Sequence, residues 1–342
     1  MSTGDLEQVG AALRVMTEPQ QGASYEQLVT LARTAEMWGW DGFFRSDHLL
    51  TIGSVEKRDA TEAWTTLAAL ARETTTLRLG TLVSPMTFRH PSVLARIVST
   101  VDQLSAGRVE LGVGAGWFED EHRTLGIPLP PMGVRMDLFE EAVEVIAALL
   151  TGEAVDHHGA HFDLEDAVSL PRPVQDRLPL IVGGHGGRRS VGLAARFAAE
   201  YNTTARPGEE ATRVFRRVVE ACERQGRDPQ TMRLSWMGPC IVAEDAETLH
   251  RRAAAFSLWL GPGDHDRADV LREFRGRGIV GLPSDAAAVM RGLREAGCDR
   301  FYLQLLDLDD LDHVADVTRL VAAPALSEGR ARSAQPAMPP GD

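Results

Sequence analysis

The chain has 342 residues, of which 44% are hydrophobic, so it can bury one large core. Asp and Glu (49) outnumber Lys and Arg (36), and the net charge of -13 argues against nucleic acid or an anionic membrane surface as a partner. The sequence contains no run of about 18 apolar residues and no secretory pattern at its start, so we expect a cytoplasmic protein without a membrane span.

The first elements follow from local patterns. Residues 13–16 predict a strand, in which Arg14 is an awkward residue for a buried position. Ser24 and Gln27 have the spacing of a capping box, and the helix that follows ends at Gly39. The chain therefore opens with a strand followed by a helix.

The same alternation continues along the chain. Further strands are predicted at 42–44, 77–83, the start of 108–122, 180–182, 201–203, 234–242 and 301–306. Helices are predicted through Trp64 and Leu70, from Pro91 to Gly107, through Leu138 and Leu149, and through Val191 and Ala198. About eight strand and helix units predict an α/β fold, a (β/α)8 barrel.

A doubly wound open sheet is the alternative fold. The barrel is favoured because candidate site residues follow many strands, whereas an open sheet gathers its site at one switch point. We expect one domain over residues 1–326 with an irregular insertion near 153–176. Residues 327–342 are poor in bulky apolar side chains, which predicts a disordered tail.

Three alternating glycines, Gly112, Gly114 and Gly116, lie in the stretch 108–122. They remove every second Cβ, so a flat ring or an oxygen-rich ligand could lie against the backbone. The dinucleotide fingerprint Gly-x-Gly-x-x-Gly is absent from this stretch. The alternative is a tight turn without a ligand.

A second glycine-rich segment, 183–187, separates a predicted strand from a helix. Unpaired backbone N–H groups at a helix start suit a phosphate, and Arg188 and Arg189 add positive charge. The alternative is a flexible turn. Asp47 and His48, after the second strand, form a candidate proton-handling pair, with an ordinary capping Asp beside a surface His as the alternative.

Other polar clusters favour structural roles. The histidines of 157–161 lie in the insertion, and no second cluster completes a metal site. The acids of 119–121 fit the N-terminal turn of a helix better than a catalytic cluster. No Gly-x-Ser-x-Gly elbow is present. Cys222, Cys240 and Cys298 are odd in number and widely spaced, which predicts reduced packing residues.

Taken together, the motifs resemble the luciferase-like flavin and deazaflavin oxidoreductases, and within them the coenzyme F420-dependent group. The resemblance spans roughly residues 13 to 305 and rests on the segments 45–48, 78–84, 88–91, 102–105, 107–122, 171–174, 181–184 and 281–283. These segments are specific for the family and not for a substrate.

The resemblance implies a barrel that binds its flavin-type ring at the carboxyl ends of the strands. The ring would lie near Asp47, His48, Ser84 and the segment from Gly112 to Trp117. The phosphate would meet the backbone at Gly183, Gly184, His185 and Gly186. The resemblance makes His48, with Asp47, the candidate catalytic pair, and the residue pattern predicts no metal site.

Two positions depart from members that act on sugars or alcohols. A Trp and a Glu of those members correspond here to Ile52 and Trp117, so neither substrate class carries over. We expect an F420-dependent oxidoreductase that transfers a hydride to or from a small organic substrate, and a homodimer. The alternatives are an FMN-dependent monooxygenase of the same fold and a non-catalytic cofactor-binding protein.

Overall fold

A closed barrel of parallel strands organises the protein, as the sequence predicted. The computed structural model describes residues 9–53, 56–260 and 267–327. Within these ranges the eight barrel strands are β1 (Leu13–Thr17), β2 (Gly42–Arg45), β3 (Arg78–Pro85), β4 (Val109–Gly114), β7 (Leu180–Gly183), β8 (Glu200–Thr203), β9 (Arg233–Val242) and β11 (Arg300–Gln304). Strand β9 pairs with both β8 and β11 and thereby closes the barrel.

Helices surround the barrel and cover its outer face. They are α1 (Tyr25–Met37), α2 (Ala63–Glu73), α3 (Pro91–Ser105), α4 (Glu119–Leu125), α5 (Met132–Leu149), α6 (Arg188–Phe197), α7 (Glu209–Arg224), α8 (Ala246–Ala253), α9 (Arg267–Phe274), α10 (Pro283–Glu295), α11 (Asp312–Asp316) and α12 (Ala323–Ser327), with a π-helical segment, Val317–Ala322, between the last two. Short 3-10 turns cover Pro19–Gln21, Pro229–Thr231 and Ala254–Leu260. No helix of the described residues is long and apolar enough to cross a membrane.

Local signals in the sequence set several helix boundaries. The predicted capping box begins α1: Ser24 accepts from the backbone N–H of Gln27, whose side chain accepts from the backbone N–H of Ser24. Pro91 occupies the first turn of α3, where its missing N–H has no intrahelical partner to lose. The three cysteines are buried and unpaired.

Arg14 is buried inside the barrel near the amino-terminal end of β1, where it is paired. Its guanidinium contacts Glu110 and Asp41, each at 2.5 Å, and donates to Tyr302 at 2.9 Å. Burial raises the pKa of Glu110, but Arg14 and the neighbouring arginines outweigh burial and hold it at about 2. A charged cluster therefore fills the barrel end opposite the strand exits.

The insertion is more ordered than predicted. Residues 153–176 contain an antiparallel hairpin of β5 (Val155–His158) and β6 (Asp163–Ala167), so the expectation of an irregular segment was wrong there. Glu141 of α5 accepts hydrogen bonds from the backbone N–H groups of His161 and Phe162 and so attaches the hairpin to the barrel helices. The sequence concealed these strands because most of their side chains are polar and exposed.

Two smaller features complete the fold. Strand β10 (Ile279–Gly281), which was not predicted, pairs with the end of β9 outside the closed barrel. The tail predicted from residue 327 lies outside the described residues, except for the residue that ends α12.

Candidate active site

A large cavity opens at the carboxyl ends of the barrel strands. Its volume is about 1140 Å³, and its wall is formed by the loops that follow the strands together with the beginning of α5 and α6. This is the end of a (β/α)8 barrel at which sites are assembled from several strand exits. Most of the wall is apolar, with a few polar groups between the apolar side chains.

The cavity floor combines glycines at the ends of β4 and β7 with the side chain of Val83, and a Cβ on either glycine would collide with that valine. A Cβ on Gly114 would lie 2.6 Å from Cγ2 of Val83, and one on Gly183 would lie 2.9 Å from Cγ1 of the same valine. Val83 follows a cis peptide bond after Leu82, at the point where the register between β3 and β4 shifts. The glycines at the exits of β4 and β7 therefore leave room for the Val83 side chain, which lies against both of them in the cavity floor, and a floor of such small residues suits a planar ring.

Two further glycines of the predicted site differ in their roles. Gly116 lines the cavity with a φ of 81°, a conformation that favours glycine, and a Cβ there would lie 2.9 Å from Oγ1 of Thr87. Gly112 lies deeper, where a Cβ would come within 2.1 Å of the Thr81 carbonyl oxygen. The sequence pattern alone could not separate these roles, so we now expect Gly112 to permit close strand packing and not to contact a ligand.

His48 lies in the cavity wall and is paired with Glu121. Its Nδ1 is 2.9 Å from Oε2 of Glu121, while Oε1 accepts from the backbone N–H groups of Leu49 and Leu50. Burial lowers the pKa of His48, but the hydrogen bond and the charge of Glu121 outweigh burial and raise it above the ordinary value. The pair therefore favours a protonated imidazole in contact with the cavity.

Asp47 and Ser84 lie behind the wall and are fully buried. The Asp47 carboxylate accepts from Arg89 at 2.5 and 3.0 Å and from Oγ of Ser84 at 2.6 Å. Ser84 also accepts from the indole N–H of Trp64. Because these bonds occupy both side chains, we expect them to hold the exits of β2 and β3 in place, not to contact a ligand as the sequence suggested.

The glycine loop 183–187 offers fewer N–H groups than predicted. The N–H of Gly184 donates to the Asn202 carbonyl at 3.0 Å, and that of Gly186 donates to the Tyr201 hydroxyl at 2.9 Å. Both bonds tie the loop to β8 and keep these donors from a ligand.

The start of α6 remains a candidate anion site. Gly187 lines the cavity and provides no side-chain cap, so the first N–H groups of this ten-residue helix are open to a ligand. Arg189 is held by Glu140 and Asp137, whose hydrogen bonds raise its pKa. Arg188 lines the cavity and, within the described residues, forms no ion pair, and His185 is an exposed neighbour.

Sequence reasoning missed two carboxylates of the cavity. Glu121 was assigned to a helix start, which is its position in α4, yet its side chain turns inward and is buried. Glu18, at the exit of β1, is buried and accepts from Gln20 at 2.8 Å and Gln304 at 2.9 Å. The position of Glu18 directly after a predicted strand was the one available signal. No group of three or more His, Cys, Asp or Glu residues in the described ranges is arranged to hold a metal.

Comparison with known proteins identifies related sequences. The family model of the luciferase-like monooxygenases matches residues 9–324. An F420-dependent glucose-6-phosphate dehydrogenase of Microbacterium testaceum is 36% identical over 180 residues, which cover 52% of each chain. An uncharacterised protein of Mycobacterium tuberculosis is 30% identical over 212 residues, covering 57% of this chain and 74% of that one. The match to the dehydrogenase thus spans about half of its length.

Solved structures share the fold at low sequence identity. An F420-dependent secondary alcohol dehydrogenase, in complex with an F420-acetone adduct, superposes with a TM-score of 0.77 at 21% identity and covers 92% of this chain and 98% of its own. A long-chain alkane monooxygenase gives a TM-score of 0.75 at 18% identity, with 94% and 92% covered. These likenesses establish the barrel architecture alone.

Proposed function

The chain belongs to the luciferase-like monooxygenase family, and from this premise we propose that it is a coenzyme F420-dependent oxidoreductase. It would transfer a hydride between the deazaflavin and a small organic substrate. The names of an F420-dependent relative and of an F420-bound structure of the same fold support this proposal. The identity of the substrate is not carried over from either protein, because the match to the relative covers only half of its length.

One observation supports the proposal most directly: the glycines of the cavity floor and the His48 and Glu121 pair line the same cavity. Gly114, Gly116 and Gly183 would hold the ring, and the N–H groups at Gly187 and the start of α6 would hold the phosphate. When bound, the deazaflavin supplies the hydride chemistry. The protein contributes the surface that orients the ring and the apolar wall that excludes water.

His48 would supply the proton. Its Nδ1 is held by Glu121, so Nε2 is the nitrogen that can donate to a substrate. Because its pKa is raised, His48 keeps its proton to a higher pH than an ordinary histidine. A proton donor suits the reductive direction, in which the substrate gains a hydride at one atom of an activated C=C or C=N bond and a proton at the other.

The alternative is an FMN-dependent monooxygenase that uses oxygen, and the monooxygenases among the structures of similar fold favour it. A direct test is anaerobic mixing of the protein with reduced F420 and a panel of unsaturated ketones and imines, followed by the absorbance of oxidised F420. We expect F420 oxidation without oxygen. Formation of an oxygenated product from substrate, reduced FMN and oxygen, with no F420 oxidation, would instead establish the monooxygenase.

A third reading, a non-catalytic cofactor-binding protein, predicts F420 binding without turnover in the same assay. We also propose that the protein works as a homodimer, which light scattering after size-exclusion chromatography tests directly. The cytoplasmic location expected from the sequence stays a prediction.

A further inference from the structure

The cavity wall beside His48 is strongly apolar and partly open. Trp117, whose ring contacts His48, and Met132, at the start of α5, both line the cavity, and 58% of Trp117 and 56% of Met132 are exposed. The rings of Trp117 and Phe118 stack with centroids 5.2 Å apart and planes 26° apart. Large apolar side chains left this exposed at a cavity mouth commonly mark a binding surface.

His48 is enclosed by these aromatic rings. Its imidazole makes edge contacts with Trp117 at 5.6 Å and with Phe118 at 5.9 Å between ring centroids. A molecule that reaches His48 from the cavity therefore lies against the indole of Trp117. This geometry suits a planar molecule, because flat rings pack well against an aromatic face.

The charges in the cavity wall are unevenly distributed. The carboxylates Glu18 and Glu121 lie at the exits beside His48, on the β1 to β4 side of the barrel. Four arginines line the wall after later strands: Arg188 and Arg189 follow β7, Arg206 follows β8 and Arg277 follows β9, with the carboxylate of Glu210 on the same side. An anionic group beside His48 would meet the positive imidazole but also two carboxylates, and no arginine on its own side of the wall, so its net electrostatic environment is unfavourable in an apolar cavity.

We propose that the part of the cavity beside His48 and Trp117 binds the substrate, that this substrate is an uncharged, planar, apolar molecule with a conjugated carbonyl group, and that sugar phosphates are excluded. The flat part of the molecule packs on Trp117 and Met132, and the carbonyl oxygen accepts a hydrogen bond from His48. This inference rests on the proposed function, since it names the substrate class for the same site.

Calorimetric titration tests the inference without measuring turnover. Benzylideneacetone, an uncharged planar enone, and glucose 6-phosphate are titrated into the protein, both free and saturated with oxidised F420. We expect the enone to bind at least tenfold more tightly than the sugar phosphate. Trp117→Glu and Met132→Glu, both at exposed positions, should each weaken enone binding at least tenfold by placing a charge in the apolar wall.

The matched control is Met37→Glu, because Met37 is 77% exposed on α1 and does not line the cavity. It should leave enone binding unchanged. Tighter binding of the sugar phosphate, no measurable enone binding, or enone affinity unaffected by both charged substitutions would overturn the inference. Absence of F420 binding would count against the proposed function instead, while the enone titrations on the cofactor-free protein would still decide the substrate class.

Discussion

The buried carboxylate of Glu121 gives the sharpest test of how His48 is charged. Glu121→Gln keeps the size of the side chain and removes its charge. The amide oxygen can still accept from the backbone N–H groups of Leu49 and Leu50. The amide nitrogen then faces Nδ1 of His48, so two donors oppose each other whenever the imidazole is protonated.

The size of the effect follows from the exposure of the two groups. Only 1% of the Glu121 side chain and 17% of the His48 side chain are exposed, so solvent screens their contact little. A hydrogen bond between charged groups contributes about 1.5 to 3 kcal/mol. We therefore expect the variant to lose about that much free energy of unfolding wherever His48 is protonated in the native protein.

The stability difference between wild type and Glu121→Gln should depend on pH. The pKa of His48 is raised in the folded protein, so its contribution to stability is fully present below the unfolded pKa of about 6.5. That contribution is lost as the pH rises through the folded pKa. The difference between wild type and Glu121→Gln should therefore be largest at about pH 5.5 and shrink towards about pH 9.

Urea unfolding followed by circular dichroism at the two pH values measures this difference. The matched control is Glu119→Gln, an exposed residue in the same helical turn, which should change stability little at either pH. Histidine-selective NMR titration should show a lower pKa for His48 in the Glu121 variant. An equal stability loss at both pH values, with an unchanged pKa of His48, would refute the reasoning.

The remaining predictions concern the anion site, the barrel interior and catalysis. Gly187→Asp should cap α6 with a carboxylate, which would occupy the N–H groups proposed to bind the cofactor phosphate. The cofactor dissociation constant should therefore rise roughly tenfold to a hundredfold in a fluorescence titration, while binding of a cofactor that lacks the phosphate stays unchanged. Arg14→Met removes the shortest ion pair of the buried Glu110 carboxylate, which keeps longer contacts to Arg78 and Arg300, and should lower the unfolding free energy by up to about 3 to 5 kcal/mol in urea. A fall in cofactor affinity would contradict the position of Arg14 at the opposite barrel end. His48→Ala should lower the turnover of reduced F420 by roughly a hundredfold or more, and Asp47→Asn should lower it by less. Near-normal turnover in the His48→Ala variant would mean that another group donates the proton.

The barrel could be predicted because its signals are local. Strand and helix alternation, the capping box at Ser24 and the proline at the start of α3 depend on neighbours in the sequence, and the structure contains all of them. The hairpin in 153–176 was not predicted because its two strands are short and mostly polar. Neither strand shows the alternation of apolar and polar residues that is typical of a half-buried strand.

The site could be predicted only in part, because its contacts join distant residues. His48 and the cavity glycines were found from strand exits, but the partner of His48 lies 73 residues away in a helix start of ordinary appearance. The N–H groups of Gly184 and Gly186 were expected to be open, yet β8 supplies acceptors for both. Which donors are already satisfied depends on strand neighbours that the sequence does not specify.

The central claim is that the glycine floor and the start of α6 bind coenzyme F420, and equilibrium titration of the purified protein tests it most directly. Absorbance and fluorescence are followed as F420 is added in one series and FMN in another, under the same conditions. We predict saturable binding of F420 with a lower dissociation constant than that of FMN. Equal or tighter binding of FMN, or no binding of F420, would contradict the account.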